Sequence, residues 1–110
     1  FNAADFEKAK MKEIGLIDEI YPRYRSTYYA HIFSGGYSAG YYVYYWAAVL
    51  DSDAFNYFKE SGDLFNPELA AKFRQHCLQE CGNDEGMVQY KKFRGQEPSN
   101  EPFLKKHGLK

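Results

Sequence analysis

Cysteine and histidine are scarce in this chain, a long apolar run is missing, and neither sign of charge is in excess. Two cysteines in 110 residues exclude a disulfide scaffold. Cys77 and Cys81 stand one helical turn apart, a spacing that aims their sulfurs poorly at each other and suits a reducing compartment. No stretch reaches the roughly 18 consecutive apolar residues that a membrane-crossing helix needs. No basic stretch followed by an apolar region opens the chain, so neither a transmembrane helix nor a signal peptide is expected. Fourteen Lys and Arg against fifteen Asp and Glu leave a net charge of -1. That removes the uniform basic field on which nonspecific binding to nucleic acid or anionic membrane depends. The three histidines, His31, His76 and His107, include no pair four residues apart, so a His-Glu-x-x-His zinc helix is missing. Phe1 rather than Met opens the sequence, which suggests a processed terminus or a piece of something longer.

Tyrosine is what the chain has in abundance. Nine of its eleven tyrosines fall between Tyr21 and Tyr45. Before them, residues 3–14 carry Phe6, Met11 and Ile14 among Lys and Glu and stop at Gly15, which predicts a short amphipathic helix. Residues 15–36 show no helical period, and Pro22, Ser26, Thr27 and Gly35-Gly36 mark a long ordered loop of the kind that is usually functional. The run YYVYYWAAVL over residues 41–50 mixes strand and helix formers. Apolar character persists from residue 37 to 58, too far for a buried strand, and predicts a helix of about six turns. Its first half is apolar on nearly every side and calls for burial by other elements. Asn66-Pro67-Glu68 starts the next helix, with Leu69, Ala70, Phe73, Cys77, Leu78 and Cys81 as its inner stripe and Gly82 as its end. Residues 85–94 and 101–106 predict two further short helices, the first burying Met87, Tyr90 and Phe93. The expected fold class is all-α, one small domain with no internal repeat.

Four groups of residues qualify as candidate chemistry. His76, Cys77 and Cys81 offer three metal ligands, but the thiols sit on the apolar stripe, where a buried cysteine is an ordinary core residue. His107 lies in a Lys-rich stretch and reads as a solvated side chain. Gly35-Gly36 lacks the Lys-Ser/Thr of a phosphate loop, and fits a tight turn that lets a backbone or a bound peptide approach closely. On the expected helix, Tyr37, Tyr41 and Tyr44 share one face, about 10 Å from first to last. From spacing they form either a core stripe or a groove of hydroxyls. Spacing by itself favours the core stripe; the repeated use of Tyr where Phe would pack equally well stands against it, because each buried phenol requires a hydrogen-bond partner.

The string HIFSGGYSAGYYVYYW, residues 31–46, closely resembles the C-terminal region of the thimet oligopeptidase and peptidyl-dipeptidase family of zinc metallopeptidases, nearest to its bacterial peptidyl-dipeptidase branch. The likeness extends through FEKAKMKEIGLI and YPRYRSTYYAHIF before it, and VLDSDAFNYFKE, FRQHCLQECG, YKKFRGQEPSNEPFL and the terminal HGL after it. The resemblance implies a large all-α enzyme, built around a deep channel, that cuts short peptides with a zinc-activated water. In that family the zinc ligands come from a His-Glu-x-x-His helix and a later Glu, both upstream of this segment. Residues 1–110 would then be a C-terminal fragment of the catalytic domain, a wall of the substrate channel that binds no zinc itself. By position, His31, Tyr37 and Tyr44 match the family's substrate-binding and transition-state residues. Tyr44 is the expected oxyanion donor and the catalytic residue of the set. His31 and Tyr37 would hold the peptide backbone, Gly35 and Gly36 would let it approach, and Tyr41 would lie between them.

The implied partners are short peptide substrates and the missing N-terminal part of the enzyme, with self-association of the isolated piece through apolar surface left bare. No nucleic-acid or membrane partner is expected. The thiol pair favours a cytoplasmic location, with a periplasmic one still open. The rival reading is a noncatalytic helical module that binds peptide or protein through a tyrosine-rich surface. A third is a structural domain whose tyrosines are core.

Overall fold

The computed structural model describes residues 1–110; its regular elements are all helical, with no strand. None of its helices is long and apolar enough to cross a membrane. The chain divides into two units, Phe1–Tyr42 and Val43–Lys110.

In the first unit, α1 spans Ala3–Glu13. The Asn2 side chain caps it by accepting from the amides of Ala4 and Asp5 at 3.0 and 3.3 Å, satisfying two donors that have no intrahelical partner. The expected stop is present: Gly15 has φ +83°, a left-handed conformation that glycine adopts without a Cβ penalty. A long segment of turns follows, broken by the single-turn α2 (Ala30–Phe33) and a 3₁₀ turn over Gly35–Tyr37.

The second unit begins with α3 (Val43–Glu60). The sequence predicts this helix from residue 37, and the structure corrects that start. Ala39 stands at φ +55°, and the amides of Ala39 and Gly40 turn back onto the carbonyls of Ile32 and Tyr37 at 3.2 and 2.8 Å. A left-handed residue cannot continue a right-handed helix. Ser38-Ala39-Gly40 is therefore a turn, and its Ser and Gly are the breaker residues that the apolar run around them obscured.

Helix α4 (Pro67–Phe73) starts as expected, the Asn66 side chain accepting from the amides of Glu68 and Leu69 at 3.0 and 3.1 Å. It continues as a π-helical stretch over Arg74–Gln79. The wider turn shifts the phase of the apolar stripe. Leu69 is buried and Phe73 and Cys77 are half-buried, whereas Ala70, Leu78 and Cys81 lie exposed, contrary to the expected pattern. Helix α5 (Gly86–Arg94) closes on Gly95 at φ +82°, and α6 (Glu101–Lys106) packs along α3.

The core of this unit sits where α3, α4 and α5 meet. Phe93, 1% exposed, meets the rings of Tyr57, Phe58, Phe73 and Tyr90 at centroid distances between 5.4 and 6.3 Å. Beside it runs a buried polar chain. The Tyr90 hydroxyl donates to Asp53 Oδ2 at 2.6 Å, and Arg94 donates to the same oxygen at 3.2 Å and to Glu60 at 3.0 Å. The Arg94 guanidinium also lies 4.5 Å from the Tyr57 ring centroid, a favourable cation–ring contact. Burial, together with the bond to Asp53, pushes the Tyr90 phenol far above the ordinary tyrosine range. The first half of α3 is not covered as the sequence anticipates: Tyr44, Tyr45 and Trp46 are all exposed, because α4 and α5 pack against its second half, at Tyr57 and Phe58.

Candidate functional site

The tyrosine-rich segment of the first unit has little of its own to hold it in shape, and an acid supplies the anchor. Glu7 on α1 is 7% exposed. One of its oxygens accepts from the Arg25 guanidinium at 2.7 Å and the other from the Ser26 amide at 2.8 Å. The Ser26 amide and then Arg25 hold the Glu7 carboxyl below the ordinary glutamate range, as donors to a carboxylate must. Next to this anchor, Arg23 lies 5.3 Å over the Tyr24 ring, and Tyr24 stacks on Tyr29 at 5.0 Å.

From Tyr29 the rings continue into the nominated residues. Tyr29 meets Tyr41 edge-on at 5.6 Å and His31 at 6.0 Å. His31, carried by α2, is 4.9 Å from Tyr41 and 6.2 Å from Tyr37, and Tyr37 meets Tyr41 edge-on at 5.3 Å. Edge-on contact sets the electropositive rim of one ring against the electronegative face of the next. His31, Tyr37 and Tyr41 are thus brought together, though not as sequence spacing anticipates. Tyr37 lies in the 3₁₀ turn and Tyr41 in the turn after Ala39, so the shared helical face of Tyr37, Tyr41 and Tyr44 does not exist. The left-handed Ala39 replaces the helix there.

Gly35 has φ +72°, a conformation that strains any side chain, and a Cβ at Gly35 or Gly36 would meet nothing within 4 Å. Both glycines therefore border open space. Tyr44 belongs to the second unit, in the first turn of α3, with about half of its surface exposed. Tyr24 and Tyr29 join the cluster without having been nominated. The crowding of tyrosines between residues 21 and 45 was the signal, but without a helical period nothing in the sequence selects these two.

The remaining candidates do not assemble a metal centre. His76 Nδ1 lies 3.1 Å from Glu80 Oε2, Cys77 is half-buried and Cys81 exposed, both as free thiols. His107 Nδ1 lies 2.8 Å from the Phe103 carbonyl. No three His, Cys, Asp or Glu side chains group so as to hold an ion. A catalytic zinc requires three such ligands fixed around it, so the residues of this chain do not fit one.

The family model of Peptidase family M3 matches residues 2–109, and the chain belongs to that family of metallopeptidases. It is 43% identical over 107 residues to dipeptidyl carboxypeptidase of Escherichia coli K12, an alignment covering 96% of this chain and 15% of that relative. It is 46% identical over 82 residues to oligopeptidase A of the same organism, covering 74% and 12%. It is also 38% identical over 81 residues to saccharolysin of Saccharomyces cerevisiae, covering 74% and 11%. The chain therefore spans only a small part of the length of these relatives.

Proposed function

We propose that this chain supplies the substrate-binding and oxyanion-stabilising residues of a zinc-dependent peptidyl-dipeptidase or oligopeptidase that hydrolyses short peptides, and that it is inactive alone. The observation that carries the reading is the convergence of His31, Tyr37 and Tyr41 on one ring cluster beside Gly35 and Gly36, in a chain of a peptidase family. Open space at the glycines gives a peptide backbone room to approach. His31 and Tyr37 hold that backbone through polar edges, and Tyr41, in contact with both, lines the same substrate-binding surface.

Hydrolysis of a peptide bond develops negative charge on the scissile carbonyl oxygen. A phenol aimed at that oxygen donates a hydrogen bond that strengthens as the charge grows. Tyr44 is assigned this role, from the first turn of α3, where its side chain is exposed. The metal ligands belong to the remainder of the enzyme, which is the chain's main partner. The free thiols Cys77 and Cys81 support a reducing compartment such as the cytoplasm.

Replacing Tyr44 by Phe in the full-length peptidase tests the assignment. The ring stays and the donor goes, so kcat falls by about 10²–10³-fold with KM little changed. A near-normal kcat sinks the catalytic role, whatever happens to stability. A phenol that merely satisfies a structural hydrogen bond would cost about 1 kcal/mol of stability and leave the rate intact.

A further inference from the structure

We propose that Glu7 and Tyr29 form a brace that positions His31 and Tyr41 for the substrate. Glu7 acts by pinning the turn at Arg25 and Ser26 to α1, and Tyr29 by filling the space between Tyr24, His31 and Tyr41. The inference rests on the reading of His31 and Tyr41 as substrate-binding residues, and it adds two residues that touch no substrate.

Glu7 is the one buried residue in the first 42, on a helix whose other positions are exposed or half-exposed. A carboxylate is buried only where its lone pairs are taken up. Here both oxygens are used, and both partners lie 18 and 19 residues along the chain. The charge-assisted bonds therefore tie the start of the tyrosine segment to a rigid helix. Tyr24 is the residue before Arg25, so fixing Arg25 fixes the ring on which Tyr29 stacks.

Tyr29 then passes the constraint on. One side of its ring lies against Tyr24 at 5.0 Å, and Tyr41 and His31 stand 5.6 and 6.0 Å away. Burial pushes its phenol above the ordinary tyrosine range, in keeping with a ring enclosed by its neighbours. The geometry makes the ring the working part of Tyr29 and the hydroxyl dispensable. Glu7 and Tyr29 are positioning residues, so their loss acts on binding rather than on the chemical step.

The test uses the full-length peptidase with two readouts, steady-state kinetics on a short reporter peptide and amide hydrogen exchange of residues 24–41. In Glu7→Ala and in Tyr29→Ala, exchange across this segment accelerates and KM rises, each about tenfold, with kcat within about twofold. Tyr29→Phe restores both values. Lys10→Ala removes an exposed ion pair to Glu13 on the same helix and changes neither. Unchanged exchange in Glu7→Ala and Tyr29→Ala overturns the brace itself. Faster exchange with an unchanged KM overturns instead the substrate-binding assignment of His31 and Tyr41. A Tyr29→Phe variant as impaired as Tyr29→Ala shows that the hydroxyl, not the ring, is what matters, and contradicts the proposal.

Discussion

At Glu7 an acid takes the place an apolar side chain usually holds in a small unit, and this gives the tyrosine segment a dependence on pH. Its carboxyl titrates below the ordinary glutamate range because the Ser26 amide and Arg25 favour the ionised form. A group whose folded value is depressed gives its full stabilisation above its unfolded value and loses it as pH falls through the lowered one. Exchange protection of the Ser26 amide is therefore expected to be full at neutrality, to begin to decline as pH falls through the ordinary glutamate range, and to be lost below it. Loss of protection already above the ordinary glutamate range would show that the bond does not hold the turn. Tyr90 is the opposite case. Its phenol is driven upward by burial and by Asp53, so it keeps the proton it donates to Asp53 well into alkaline pH.

Between elements, the contact that sets α5 against α3 is ionic as much as apolar. Asp53 is 1% exposed and Arg94 9%. Removing one partner of a buried pair strands the other charge in a poorly solvated site. Asp53→Ala is expected to lower the unfolding free energy by about 3–5 kcal/mol, and Tyr90→Phe by about 1 kcal/mol, both read from urea unfolding. Equal effects from the two substitutions would mean that Asp53 is held mainly by the phenol. The elements themselves were largely legible. Asn66-Pro67, Gly15, Gly95 and the short helix at Glu101 announce themselves because a cap is a local bond or a local φ that one residue type satisfies. The start of α3 was not, since Ala39 carries no mark of the left-handed conformation it adopts. The π-helical stretch after Phe73 was hidden too, because widening a turn changes no residue type. The site was half legible: His31, Tyr37 and Tyr41 were named and do meet, but the helical face supposed to unite them is replaced by a turn. The rings of Tyr24 and Tyr29 join through contacts that no sequence period encodes.

For the whole chain, apolar burial is thin. Leu69, Tyr90 and Phe93 are its buried apolar residues, while Phe55, Phe65, Leu78 and Trp46 are exposed. Beside Tyr90, a pocket of about 450 Å³ is lined by Leu50, Ala54, Phe55, Phe58 and Phe73. Bare apolar surface of this kind associates or destabilises. The isolated chain is expected to show concentration-dependent association in sedimentation, or else a broad, low melting transition. A monomer that melts cooperatively above about 65 °C, past the usual mesophilic range, would show a self-sufficient domain. The central claim is that this chain brings peptide-binding and oxyanion-stabilising side chains to a metallopeptidase while its metal ligands lie elsewhere. Its most direct test is hydrolysis of a short reporter peptide by the isolated chain after dialysis against zinc, with bound metal counted in the same sample. The account predicts no turnover and no stoichiometric zinc, since no three ligands converge. One zinc per chain together with hydrolysis would contradict it.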